Sequence, residues 1–411
     1  MLKRIPVTEL LVGMYIHELC GSWMEHPFWK TRFRLGSDKD RQRILDSGIR
    51  EVWIDTGKGL DLPSGETVEQ VQAETEAVLL AAAPTAVTEG GRKVAQRGLE
   101  DELQRAARLC DSSKRAVMAM FGDARMGRAI EVGRAGELVD EISASILRQP
   151  NALISLARLK HADEYTYMHS VAVCALMIAL ARQLELSEAL VREAGMAGLL
   201  HDIGKMCTPP AVLNKPGKLT DSEFATMREH PEAGARLLVD SQQVSALVLD
   251  VCLHHHEKVD GSGYPHGLAG EQISLLARMA AVCDVYDAVT SDRPYKAGWE
   301  PAESIRKMAG WKGHFDERVF QAFVRTVGIY PTGSLVRLQS GRLGVVLEQH
   351  EQSLLTPMVK VFFSAKSKQP IPQEVIDLSK LVGRERIVGR ESAADWGFRN
   401  LDELWTGLPQ G

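Results

Sequence analysis

The spacing of apolar residues changes character twice along the chain. Over residues 1 to about 64, short alternating segments (Val7 to Ile16, Val52 to Asp55) are broken by Gly13, Gly36, Gly48, Gly57 and Gly59, the pattern of a small α/β or β-rich module. Trp23, Phe28, Trp29 and Phe33 read most simply as its core or interface residues. Glu66 to Ala83 turns helical, and Pro84 to Lys93, with Pro, Gly and Thr but little apolar periodicity, reads as a linker. From Leu99 to about Val327 helical spacing takes over, as in Leu103, Ala106, Ala107 and Cys110, then Leu138, Ile142 and Ile146, then Ala152 to Leu159. Thr220 and Glu223 have capping-box spacing, predicting a helix that runs to about Glu229 and delivers His230 at its end. Beyond Tyr330-Pro331, the glycines 333, 341 and 344 separate alternating segments at Ser334 to Leu338, Leu343 to Leu347 and Val359 to Phe363, which suggests a small β-barrel-like tail.

The predicted fold is therefore mainly α, with a small N-terminal α/β module and a small β-rich C-terminal tail. The boundaries read as an accessory or regulatory module and linker at 1–98, connecting helices at 99–134, a helical domain at 135–330 and the β-rich extension at 331–411.

Composition narrows the partners. A chain of 411 residues that is 45% hydrophobic and 25% charged has the make-up of a globular protein with a sizeable core. A formal net charge of -5 gives no global basic field, which argues against DNA as a partner while leaving room for a small anion held by a local cluster. The six cysteines (Cys20, Cys110, Cys174, Cys207, Cys252, Cys283) form no Cys-x-x-Cys pair and read as reduced thiols of a cytoplasmic protein. No secretory signal opens the chain. The longest apolar run, Val171 to Ala181, is about half of the roughly 20 residues that a membrane span needs, so a buried core helix is expected there.

The chemistry concentrates in the helical stretch. His201-Asp202-Ile203-Gly204-Lys205 sets a nitrogen ligand beside a two-oxygen carboxylate, a seed for a site in which one carboxylate bridges two metals. Gly204 leaves room for close backbone approach, and Lys205 puts a point charge where a phosphate oxygen could sit. Six of the twelve histidines lie between His169 and His256. The candidate ligands are His169, His201, Asp202, His230, His255, His256 and Asp284, spread over more than a hundred residues, so several helices must converge to assemble them. Histidine and carboxylate without thiolate suit iron, manganese or zinc, with cobalt and nickel also accepted. Taken singly, each residue has an ordinary explanation: a core histidine, a helix-end residue, a surface charge. Jointly, so many polar groups call for a shared purpose.

Five segments in order carry a resemblance. They are His201 to Lys205, Asn214-Lys215-Pro216-Gly217-Lys218-Leu219, His255-His256-Glu257, Asp260-Gly261-Ser262-Gly263-Tyr264-Pro265, and Asp284 through Asp287 and Arg293 to Lys296. The chain resembles HD-GYP domain proteins of the HD phosphohydrolase superfamily over roughly residues 140 to 330. The first hundred or so residues resemble an accessory region fused in front of some members.

The resemblance implies a cyclic di-GMP phosphodiesterase that yields pGpG, with continuation to GMP left open. It carries metal binding onto the seven ligands above, and phosphate or substrate contact onto Lys205, Arg293 and Lys296. Two divalent ions, iron or manganese first, are expected, supplying a metal-activated hydroxide at a binuclear site, with Asp202 as the bridge, Asp284 as the terminal carboxylate and Lys205 assisting. Tyr165 stands where some relatives have a glutamate that helps hold a third metal, which favours two metals here; Glu164 is a nearby substitute. The Gly261 to Pro265 loop would lie near the substrate, with Tyr264 offering a hydroxyl or ring face. The N-terminal module is expected to regulate the enzyme or to join a second copy or a signalling partner. The alternative is a cyclic di-GMP receptor or partner-binding protein with little turnover; a hydrolase for another cyclic dinucleotide is a third reading.

Overall fold

The structure is a computed structural model that describes residues 1–20, 32–82, 99–128, 130–158, 165–215, 217, 219–241, 244–291, 298–350, 353–398 and 400–407. Its N-terminal part contains strands β1 (Leu2–Pro6), β2 (Tyr15–Leu19) and β3 (Phe33–Arg34), helix α1 (Asp38–Leu45), strands β4 (Glu51–Asp55) and β5 (Glu66–Thr67), and helix α2 (Val68–Ala81). The strands pair antiparallel in the order β3-β2-β4-β1-β5. Alternation sets the buried face: Val52 and Ile54 of β4 point inward opposite Ile5 and Ile16 and, with Leu10, Met14, Leu35 and Ile44, form a small separate core. Phe33 packs half-buried against it, while Trp23, Phe28, Trp29 and the linker Pro84 to Lys93 lie outside the described residues. The helix expected from Glu66 begins two residues later. Glu66 and Thr67 extend the sheet, and Thr67 caps α2 in a box with Gln70.

Helices follow as α3 (Leu99–Arg125), α4 (Val132–Arg148), α5 (Pro150–Arg158), α6 (Tyr165–Gln183), α7 (Glu188–Leu200), α8 (Pro210–Leu213), α9 (Asp221–Met227), α10 (His230–Ser241), α11 (Ala246–His254), α12 (Leu275–Thr290), α13 (Pro301–Ala309) and α14 (Glu317–Val327). Helices α6 and α12 are apolar on nearly every side, and that is why they run through the middle of the helical body: from Val171 to Ala181 every residue is buried. Helix α3 joins the same core through Leu103, Ala106, Cys110, Val117 and Phe121. No helix among the described residues is long and apolar enough to cross a membrane.

The helix begun at Thr220 has the expected capping box but stops at Met227, and His230 opens α10 instead of closing α9. Pro231 explains the break. It has no N–H to donate in a helix interior and is tolerated in the first turn, so the chain turns at Arg228 and Glu229 and restarts.

The tail comprises strands β6 (Leu335–Leu338), β7 (Arg342–His350), β8 (Ser353–Ser364), β9 (Gln369–Asp377) and β10 (Ile387–Arg390), then helices α15 (Ala393–Trp396) and α16 (Leu401–Thr406). Instead of a barrel, these strands form one antiparallel sheet in the order β10-β6-β7-β8-β9. Val336, Leu343, Val345, Val359 and Val361 join the helical core, so the sheet buries its apolar face without closing on itself.

Candidate metal centre

Five chain segments converge on one buried point. Helix α6 carries His169 in its second turn. The chain leaving α7 places His201 at the helix end and Asp202 just beyond, before a tight 3₁₀ turn over Ile203–Cys207. Gly204 lets that turn lie against α10: a Cβ here would stand 2.8 Å from the Gly234 Cα and closer still to the His230 carbonyl oxygen. This contact brings the first residue of α10, His230, up to Asp202. His255 and His256 follow α11, and Asp284 comes from the middle of α12.

The seven predicted ligands fall into two groups. Asp202, His230, His255 and His256 form one and His169, His201 and Asp284 the other, each with its donor atoms within 4.8 Å of one another. Asp202 faces both. Its Oδ2 lies 3.3 Å from Nε2 of both His169 and His201, while its Oδ1 lies 3.3 Å from Nε2 of His230 and 3.7 Å from that of His255. Asp284 Oδ1 is 2.9 Å from His169 Nε2, and its Oδ2 is 3.8 Å from His256 Nδ1.

The imidazoles are oriented from behind. The Nδ1 of His201 meets the Gly198 carbonyl at 2.8 Å, that of His230 the Met227 carbonyl at 2.7 Å, and that of His255 the Cys252 carbonyl at 2.9 Å. A carbonyl only accepts, so each Nδ1 carries a hydrogen and each Nε2 is aimed at the centre, where it offers a lone pair to an ion once any proton on it has left. His169 is turned the same way by a carboxylate, its Nδ1 lying 2.6 Å from Asp287 Oδ2.

Burial and charge are in tension at this point. His201 Nε2, Asp202 Oδ1 and Asp284 Oδ2 are buried with no hydrogen-bond partner in the protein, and buried carboxylates are costly unless neutralised. Burial opposes a charge on His201, yet Asp202 and Asp284 outweigh it and hold its pKa up at about 10. His169 is raised against the same opposition by hydrogen bonds to Asp202, Asp284 and Asp287. Across the pocket burial prevails, pushing His255 down to about 4 and His256 well below the usual histidine range. Both Asp202 and Asp284 are held well below the carboxylate range, their burial overcome by the surrounding histidines. Orphaned lone pairs, two carboxylates and pre-oriented imidazoles fit divalent cations, whose binding would release the protons that His169 and His201 hold.

The remaining predicted residues stand around this point. Lys205 lays its amine on Asp202 and is partly exposed. Tyr264 stacks on His256, centroids 4.7 Å apart and planes 24° apart, with the Arg228 guanidinium 4.4 Å from the Tyr264 ring centre. Arg293, Lys296 and Glu164 lie outside the described residues, as does the Tyr165 side chain. His254, beside two ligands in sequence, turns away to Asp250 and His266.

Three contributors carried no assigned role in the sequence reading. Asp287 could have been found from its position one helical turn beyond Asp284, on the same face. Glu257, buried next to His256, accepts from the backbone N–H of His266 at 2.7 Å and of Leu268 at 3.0 Å, fixing the loop that carries Tyr264. Arg228 lies two residues before His230 with no sequence signal beyond its charge.

Both parts of the chain have known relatives. Residues 2–135 match a domain of unknown function, DUF3391, and residues 146–319 match the HD domain family. The chain is 66% identical over 409 residues to cyclic di-GMP phosphodiesterase PA4108 of Pseudomonas aeruginosa, covering 99% of this chain and 96% of that protein. It is 44% identical over 182 residues to the cyclic di-GMP phosphodiesterase response regulator RpfG of Xanthomonas campestris, covering 42% of this chain and 47% of the relative. It is also 37% identical over 165 residues to 3'3'-cGAMP-specific phosphodiesterase 1 of Vibrio cholerae, covering 40% and 38%. With near full-length similarity at two-thirds identity, the chain belongs to the HD-GYP family of cyclic di-GMP phosphodiesterases within the HD phosphohydrolase superfamily.

Proposed function

We propose that this enzyme hydrolyses cyclic di-GMP to linear pGpG at a binuclear centre, with a second cut at the same centre giving GMP. The observation that carries this reading is the placement of Asp202, whose two oxygens face two separate ligand groups. His169, His201 and Asp284 would hold one divalent ion and His230, His255 and His256 the other, with Asp202 shared. The nitrogen and oxygen donor set favours iron or manganese, and it also accepts zinc, cobalt or nickel. Two such ions, when bound, neutralise a phosphodiester and supply an activated water.

The protein's own residues do the rest. Carbonyl contacts and Asp287 lock the imidazoles, so no reorganisation is needed as charge develops on the phosphate. Water oxygen adds to phosphorus, the bond to the 3' oxygen breaks, and that oxygen leaves with a proton, opening the ring to pGpG. Lys205, at the exposed rim of the site, would take a non-bridging phosphate oxygen as a point charge. Tyr264, with its ring in contact with both His256 and Arg228, would border the nucleotide. Arg293 and Lys296 are proposed as further phosphate contacts on the strength of the motif that they occupy.

The test is hydrolysis by anaerobically purified protein reloaded in turn with iron(II), manganese and zinc, with products separated by chromatography. Cyclic di-GMP is run beside 3'3'-cGAMP, since relatives named for each are similar to this chain. Metal-dependent appearance of pGpG from cyclic di-GMP is the expected result. Saturable binding of cyclic di-GMP without turnover under every metal would overturn it in favour of a receptor.

A further inference from the structure

The N-terminal module reaches the loop that carries Tyr264. Arg50, just before β4, pairs through Nε with Asp260 Oδ2 at 3.1 Å. The other oxygen of Asp260 shapes the loop itself, accepting from Ser262 N at 2.9 Å and Ser262 Oγ at 2.6 Å. Gly48 of the module lies against the Ser262 carbonyl, close enough that a Cβ there would stand 3.9 Å from it. Two residues beyond Ser262, Tyr264 stacks on the metal-ligand candidate His256.

The module is held in register for this contact. Arg4 of β1 is almost wholly buried; it donates to the Gly310 carbonyl at 3.0 Å and pairs with Glu66 at 2.6 Å and Glu74 at 3.0 Å. Lys307 pairs with Glu18, and Lys312 lies 3.3 Å from Glu74. The same 310–314 segment supports the loop, because Asp260 N donates to the Gly313 carbonyl at 3.0 Å and Val259 N to that of His314 at 3.4 Å. One continuous set of contacts thus runs from the N-terminal sheet to the edge of the metal centre.

We propose that the N-terminal module is a positioning device for the substrate loop, in which Arg50, through Asp260, holds residues 260–266 so that Tyr264 is presented beside His256. Arg50 is a positioning residue, since it acts on substrate through Asp260 and Tyr264. The proposal rests on the hydrolytic reading above and deepens it by giving the module a task at that site.

The experiment uses the full-length, metal-loaded protein and the variants R50A, R50E, R50K and Y264A, with the double variant R50E/Y264A. A half-exposed ion pair is weak, so R50A should raise KM for cyclic di-GMP roughly threefold and R50E about fivefold, with kcat and metal content unchanged and R50K close to wild type. In the Y264A background, R50E should add nothing, because both changes remove the same placement of the ring. Hydrogen exchange reads the coupling without turnover: amides of 260–266 should exchange faster in R50E while those of β1 and β4 stay protected. A wild-type KM in R50E, effects of R50E and Y264A that multiply independently, or exchange that rises across the whole module and not in the loop would each overturn the proposal. Absence of turnover in the wild-type protein would instead overturn the hydrolytic reading, and the exchange comparison would still decide this one.

Discussion

Gly204→Ala is the smallest change that should dismantle the metal centre. The added methyl would stand 2.8 Å from the Gly234 Cα and nearer still to the His230 carbonyl oxygen, and all of these are backbone atoms that cannot swing aside. Restoring ordinary contact requires the 3₁₀ turn and the start of α10 to separate by about 1.5 Å. Metal–ligand distances tolerate about 0.2 Å, so a displacement of that size takes His230 out of reach of an ion shared with Asp202. The overpacking itself costs about 1–3 kcal/mol, and at about 2–4 °C per kcal/mol the helical body should melt several degrees lower. The assay is metal content by elemental analysis, thermal melting and turnover on one preparation. Expected are loss of at least one ion per chain and turnover reduced by about two orders of magnitude or more, with helical content retained. A variant with the wild-type ion count and turnover would refute the argument that Gly204 places His230 against Asp202.

Asp287→Asn keeps a group that can accept from His169 Nδ1 but removes its charge, and metal affinity should fall about 10- to 100-fold, with activity restored by excess metal; titration against a chelator measures it. Glu257→Ala leaves the His266 and Leu268 amides unpaired, at about 1–3 kcal/mol, and should raise KM while leaving metal content intact, as steady-state kinetics with elemental analysis would report. In metal-free protein, His201 has its folded pKa raised to about 10 from an ordinary 6.5, so its contribution to stability is full below about 6.5 and is lost as pH rises toward 10. Melting temperatures in chelator should therefore fall between pH 7 and 9.5, while the stabilisation gained on adding metal grows over the same range. A flat or rising metal-free profile would show that the carboxylates do not hold that proton.

What the sequence disclosed and what it did not follow from how local each signal is. The seven candidate ligands were legible because their residue types are unusual beside apolar stretches, as with Asp284 between Ala280 to Cys283 and Val285, and because the motif order is specific. Their partition into two groups was not, since nothing in the spacing says that Asp202 Oδ1 turns to His230 and Oδ2 to His169. The capping box at Thr220 fixed a helix start, but the helix end depended on Pro231 forcing a restart, a competition that periodicity does not report. The tail's alternation identified strands and left open what covers them; the helical core does so, and no barrel is needed. Arg50 and Asp260 stand 210 residues apart with no pattern linking them, so only the fold could pair them.

The central claim is that Asp202 joins two ligand groups into one hydrolytic centre. It is tested most directly by counting metal ions per chain and assaying cyclic di-GMP turnover on the same preparations of wild-type protein and Asp202→Ala. The account predicts two ions per wild-type chain with metal-dependent formation of pGpG, and in the variant fewer than two ions and no turnover, with the fold retained. Full turnover with one ion per chain, or Asp202→Ala that keeps both ions and wild-type turnover, would contradict it.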